Sequence, residues 1–283
     1  MAIASASALV AANGPSLQFD TSFFLNFVFH PSPALLGGLA ITIYASIIAQ
    51  AAGVILGTFS ALAGMARNPI LRAMSGLYVW FFRGTPLLVQ LFLVYFGTPY
   101  LFGVDLFPRE MQLGPFDLRG AVVAGIVALS INEGAYMSEI IRAGILSVDP
   151  GQTEAAKSLG MTYGLTMRRI VLPQALRVIV PPLGNEFNNM LKTTSLLSVI
   201  AVEEIFRVAD AANSATFKSF EAYFGVALYY LALTTIWSGF QRIIERRIGV
   251  SAAREEEREG ILARLFGLGR EKPEELTMPG GGR

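Results

Sequence analysis

Glu154-Ala155-Ala156-Lys157-Ser158-Leu159-Gly160 opens a stretch that closes with Ile170-Val171-Leu172-Pro173. It is polar and rich in helix formers, yet it lies between two long apolar segments. Asp149 can cap a helix, Pro150 suits the first helical position, and Gln152 stands three residues after the cap, as in a capping box. Glu154, Ala155, Ala156, Lys157 and Leu159 favour helix. Gly160 suits the left-handed conformation that ends one. The pattern predicts two short helices hinged at glycine, the second over about 163–171, with Pro173 marking the turn into the next apolar segment. Small Ala155 and Ala156 would let a neighbour approach closely.

The composition around this loop is that of a protein in lipid. Of 283 residues, 53% are hydrophobic and 15% charged, where soluble domains carry about a quarter charged residues. Mean hydropathy is +0.52. The net charge of +1 shows no basic face and argues against a nucleic-acid partner. With no cysteine and a single histidine, His30 beside Pro31, thiolate chemistry is excluded and metal catalysis has almost nothing to work with. No GxxxxGK[ST] phosphate loop occurs, so the chain lacks the usual ATP-binding signature. Nor is there a Ser-His constellation, and no enzyme activity is expected. The apolar residues 1–12 lack a basic start and a long enough apolar core for a signal peptide, and read as a leader segment.

A spanning helix needs ~20 largely apolar residues. Five stretches qualify, at about 35–63, 74–100, 120–141, 176–202 and 223–244, giving an all-α integral membrane protein with five transmembrane helices. The second, third and fourth contain charges. Arg67, Arg72, Arg142, Lys157, Arg168, Arg169, Arg246 and Arg247 gather on one side. The positive-inside rule makes that side cytoplasmic, with the N-terminus outside, the C-terminus inside and the Glu154 loop in the cytoplasm. The expected organisation is an extracytoplasmic segment 1–34, a membrane domain 35–246 with a cytoplasmic loop 142–175, and a charged tail 247–283. In that tail, 254–259 is a mixed charge run and 261–268 a short amphipathic patch.

Several polar residues fall at membrane depth: Arg83, Asn132, Glu133, Asn185, Glu186 and Lys192. An ionised group there costs at least ~2.5 kcal/mol against lipid, so these must face protein, water or a solute. Gly84 and Pro86 interrupt the second stretch, and Pro181, Pro182 and Gly184 the fourth. Helices broken at mid-membrane commonly open backbone groups to a cavity. A free amino acid offers a carboxylate that Arg83 could clamp, helped by Gly84 and Thr85. Its ammonium could be answered by Glu133 or Glu186. The alternative is that Arg83 pairs with Glu133 or Glu186 as an interhelical salt bridge. Gly53 and Gly57 form a GxxxG that could let two helices meet closely.

Physics alone leaves the Glu154 loop open between docking a partner and resting on lipid headgroups. The spacing Glu154-Ala155-Ala156, three residues, Gly160, nine residues, Ile170, one residue, Leu172-Pro173 resembles the EAA loop of ABC importer permeases. Further segments resemble the polar amino acid permeases among them. These are Arg83-Gly84-Thr85-Pro86-Leu87-Leu88-Val89-Gln90, Asn132-Glu133-Gly134-Ala135-Tyr136 with Glu139 and Arg142-Ala143-Gly144, and Asp149-Pro150-Gly151-Gln152. Leu172 to Arg177, Pro181 to Phe187 and Leu191 to Leu196 continue the match. The resemblance covers roughly 35–246, and departs from the shortest members in a longer outer stretch, 103–118.

The resemblance implies a type I ABC importer permease fold in the bacterial inner membrane. It implies a coupling loop in which Asp149, Gln152, Glu154, Ala155, Ala156 and Gly160 meet an ATPase. It also implies a substrate pathway of Arg83, Gly84, Thr85, Gln90, Asn132, Glu133, Tyr136, Asn185, Glu186 and Lys192. The partners implied are two ATP-binding cassette subunits, a second permease identical or paralogous, an extracytoplasmic solute-binding protein, an amino acid substrate and the bilayer, with no cofactor. The competing reading is an ion-gradient-driven amino acid transporter that uses Glu133, Glu186 and Lys192 as a relay.

Overall fold

The computed structural model describes residues 19–108 and 119–249. The expectations for 1–12, for most of 103–118 and for the tail features at 254–268 lie outside the described residues. Among the described residues regular structure is helical throughout: α1 (Thr21–Phe29), α2 (Pro33–Gly64), α3 (Pro69–Gly84), α4 (Leu87–Phe102), α5 (Gly120–Leu146), α6 (Pro150–Ser158), α7 (Tyr163–Thr166), a π turn (Met167–Val171), α8 (Leu172–Thr193), a 3-10 segment (Thr194–Ile200), α9 (Ile205–Thr216) and α10 (Ser219–Ile248).

The organising pair is α2 with α5. Ser32 caps α2 by accepting from the Leu35 amide, and Pro33 occupies its first turn, where no amide partner is lost. The two helices approach so closely that a Cβ on Gly53 would lie 2.6 Å from Glu133 Cγ, and one on Gly57 2.4 Å from Met137 Cβ. The GxxxG of the sequence is therefore a packing seam. Around it Ala45, Ala49, Val122, Leu129 and Leu197 form a buried cluster that includes Leu91 of α4. A second cluster joins Ala61, Met137 and Ile141 to Ala175 and Ile179 of α8.

Among the described residues, α2 and α5 are long and apolar enough to cross a membrane, and α3 with α4 would make a third crossing bent by 105°. The expected second stretch is thus a broken one. Thr85, which precedes Pro86, is extended at φ −116° and ψ 146°, because the proline ring disfavours helix at the residue before it. The fourth stretch differs from expectation. Pro181 and Pro182 sit inside an uninterrupted α8, and side chains of α10 serve its backbone: Trp237 Nε1 donates to the Gly184 carbonyl at 2.8 Å and Gln241 Nε2 to the Pro181 carbonyl at 3.3 Å. The chain also leaves α-geometry earlier than expected, at Thr193, and the 3-10 segment ends on Ala201 in the left-handed region at φ 61°. Charged Arg177, Glu186 and Lys192 keep α8 below the apolarity of a lipid-facing span.

Glu204, which precedes α9, is fully buried. It caps α9 by accepting from the amides of Phe206 and Arg207 at 2.8 and 2.7 Å, and it accepts from Tyr230 Oη of α10 at 2.9 Å. A Cβ on Gly38 of α2 would come within 2.9 Å of the Glu204 carbonyl carbon.

Helix α1 was not foreseen within the N-terminal segment. It lies on the N-terminal end of α10, with Phe24 stacked on Phe224 at 5.3 Å and Lys218 paired with Asp20. Asp20 also caps α1 through the Phe23 amide at 2.8 Å. The hydrogen bond from Lys218, then those from Ser22 and Phe23, hold the Asp20 carboxyl well below the usual carboxylate range. A depressed folded pKa stabilises the docked state above the unfolded value, and that gain is lost only as pH falls through the folded pKa. Docking of α1 is therefore expected to persist through the ordinary carboxylate range of about 3.5–4.5. Because the chain has no cysteine, a Phe24→Cys/Phe224→Cys pair gives a clean crosslinking readout. Asp20→Ala is expected to lower its yield at neutral pH; an unchanged yield would remove the cap and ion pair from the account of α1.

Candidate functional site: a central cavity and an exposed elbow

Between the α3–α4 break, α5 and α8 lies a cavity of about 620 Å³, within the range of small-molecule sites. The break contributes Thr85, Pro86 and Leu87; α5 contributes Leu129, Asn132, Glu133 and Tyr136; α8 contributes Glu186, Asn189, Met190, Lys192 and Thr193. Thr85, Asn132, Glu133, Tyr136, Glu186 and Lys192 had been placed in the pathway from sequence. Asn189 and Thr193 had not, although they stand three and seven residues after Glu186, on the same helical face.

The remaining pathway residues do other things. Gln90 is almost fully buried, and its Nε2 donates to the Phe82 carbonyl at 2.9 Å and to Thr85 Oγ1 at 2.8 Å. Asn132 Nδ2 donates to the same Phe82 carbonyl at 3.1 Å and to Gln90 Oε1 at 3.0 Å. These amides satisfy backbone groups that the Gly84-Thr85-Pro86 break frees, which is what irregular backbone at membrane depth requires. Asn185 is exposed and accepts from Gln241 Nε2 at 3.4 Å.

Arg83 does not line the cavity. Its guanidinium lies 3.5 Å from Glu139 and 5.3 Å from the centre of the Tyr136 ring, and Arg142 shares the same carboxylate at 3.2 Å. The salt-bridge alternative named Glu133 or Glu186 as the partner, and the structure gives Glu139 instead. Six residues separate Glu139 from Glu133, so the ion cluster sits about 9 Å further along α5, toward its C-terminal end. Glu133 is 5% exposed, and its Oε1 accepts from Gln50 Nε2 of α2 at 2.8 Å.

The elbow is α6 with its exit turn. Asp149 accepts from the Gly151 amide at 2.7 Å, which starts the helix. Gly160 ends it at φ +75°, with the Met161 amide donating to the Ala156 carbonyl at 3.1 Å. The two alanines part company: Ala156 is buried, while Ala155 and Glu154 face outward. Successive helical residues diverge by about 100°, so only one of them can meet a partner. Leu159 and Tyr163 flank the hinge at 82% and 72% exposure. Their signal in the sequence was the presence of large apolar residues on an otherwise polar loop. No turn follows at Pro173: α7 runs through the π turn straight into α8, and Pro173 sits in the first turn of α8.

A family described as "Binding-protein-dependent transport system inner membrane component" matches residues 53–250. The chain is 41% identical over 220 residues to the probable amino-acid permease protein YxeN of Bacillus subtilis, covering 78% of this chain and 93% of that protein. It is 38% identical over 247 residues to the arginine transport system permease protein ArgU of Corynebacterium glutamicum, covering 86% and 76%. Among solved structures, an amino acid ABC transporter crystallised with histidines is 42% identical, with TM-score 0.69 over 79% of this chain and 98% of that one. The MetNI methionine ABC transporter, at 16% identity and TM-score 0.57, shares the fold.

Proposed function

The chain belongs to the binding-protein-dependent transport system inner membrane components, among their amino acid permeases, and on that premise we propose how its parts divide the work. It is an inner-membrane permease subunit of an ATP-driven amino acid importer with the type I fold, and not an enzyme. ATPase and solute-binding partners belong to such a system. The ion-gradient reading is not retained.

In the proposed assembly two permeases, identical or paralogous, meet about a two-fold axis. Two ATP-binding subunits sit beneath them, the N-terminus faces outside and the C-terminus lies in the cytoplasm. Glu154, Ala155, Gly160, Leu159 and Tyr163 form the contact with the ATPase. The cavity beside Glu133 and Glu186 is the amino acid pathway. One observation carries the coupling role: the exposed elbow is joined to the cavity wall by unbroken helical backbone from Tyr163 to Thr193. The test is amino acid uptake into vesicles bearing the whole complex, energised by internal ATP with ion gradients collapsed. Uptake is expected under those conditions; uptake that requires a gradient and ignores ATP would overturn the reading.

A further inference from the structure

From the charges that face the cavity, we infer that this permease is built to pass a cationic amino acid, one carrying an ammonium or guanidinium on its side chain. The inference rests on the cavity being the amino acid pathway, and it adds a substrate class to that reading.

Two carboxylates line the cavity, Glu133 from α5 and Glu186 from α8, against one ammonium, Lys192. Among the described residues no cation lies within ion-pair distance of Glu133 or Glu186. The other basic groups of this region are committed elsewhere, with Arg83 and Arg142 both on Glu139. Glu133 is the more demanding of the two, being 5% exposed. Its side-chain partner is the neutral amide of Gln50 at 2.8 Å, which fixes its position without cancelling its charge. A desolvated carboxylate lacking a counter-charge is costly, and a cation placed against it removes that cost.

The possible substrates differ in how they meet this arrangement. A neutral amino acid brings one ammonium and one carboxylate. Lys192 answers the carboxylate and one glutamate answers the ammonium, which leaves the second glutamate uncompensated. An acidic amino acid brings two carboxylates, making four in the same space. A cationic amino acid places its second positive group against the remaining glutamate, and the charges of cavity and solute then sum to zero. The amides of Asn132 and Asn189 and the hydroxyls of Thr85 and Thr193 complete the lining with groups that accept from a guanidinium or ammonium.

The test uses the purified permease–ATPase complex without its solute-binding protein, so that selection by that protein is removed. Arginine, lysine, glutamine and glutamate are titrated by calorimetry. Arginine and lysine are expected to bind at least about tenfold more tightly than glutamine, as a charge-assisted contact implies. Glu133→Gln and Glu186→Gln are each expected to erase that preference, weakening arginine and lysine by about tenfold more than they weaken glutamine. Should Glu133→Gln fail to assemble, Glu186→Gln carries the test alone, since Glu186 is only half-buried. Glutamine bound as tightly as arginine, or a preference that survives Glu186→Gln, would overturn the inference. So would the absence of any amino acid binding while ATP-driven uptake persists, and that result would leave the transport reading intact.

Discussion

Gly57→Leu is expected to leave no stably assembled permease. A Cβ at this position already lies 2.4 Å from Met137 Cβ, and 2.8 Å from both the Gly134 carbonyl oxygen and the Ser138 amide nitrogen. Two of those three atoms are backbone of α5, so no rotamer change relieves the overlap. The helices must separate, which also opens the seam one turn away where Gly53 meets Glu133. Overpacking a core by a few methylenes costs about 1–3 kcal/mol where side chains can yield, and here the obstacle is main chain. The expected readout is a collapse in the yield of monodisperse complex and a lowered melting temperature. Gly76→Ala in α3 is the matched control. Its Cβ meets nothing within 4 Å, and alanine in a helix interior gains about 0.5–1 kcal/mol over glycine. Equal behaviour of the two variants would remove the α2–α5 seam as the organising contact.

Gly160→Val carries the second large effect, on transport in place of folding. Gly160 holds φ +75° with open space where a Cβ would go, so the objection to valine is conformational. An L-residue in the left-handed region costs about 1–2 kcal/mol, more when β-branched. Unwinding the turn re-aims Leu159 and Tyr163, the apolar pair of the proposed ATPase contact. Uptake in ATP-loaded vesicles is expected to fall by about tenfold or more, the factor that 1.4 kcal/mol represents, while the protein remains inserted and folded. Gly160→Asn, which tolerates the left-handed region, is expected to restore much of it. Gly164→Ala, with no positive φ and free space, is expected to leave uptake intact. If valine at 160 transports normally, the elbow is not where force enters.

The elbow was legible in the sequence because its signals are local: Asp149, Pro150 and Gly160 each act within a few residues of themselves. The α3–α4 break was legible for the same reason, since Pro86 constrains Thr85 directly. Long-range outcomes were not. Pro181 and Pro182 read as a break from their own segment, yet α8 runs through both, with Trp237 and Gln241, more than fifty residues on, donating to its backbone. Arg83 was matched to carboxylates at its own depth, whereas a long side chain reaches along the helix axis to Glu139 instead. Gln90 and Asn132 looked like solute ligands, yet the hydrogen bonds they make mend the broken backbone, a need that exists only once the break has formed. Glu204 is buried because α2, α9 and α10 close around it, which no signal in its own segment announces.

The π turn at Met167–Val171 has a thermodynamic consequence. It lets α7 and the cavity-lining α8 share one rod with no slack between them, and Glu186 stands about 25 Å from Arg169 along it. A rod with two ends has no preferred direction of influence. Under the proposed coupling, whatever factor nucleotide imposes on the affinity of the cavity, a solute resting beside Glu186 must impose on the affinity for nucleotide. The fuel-burning subunits would thus sense a waiting passenger through the same bar that moves it.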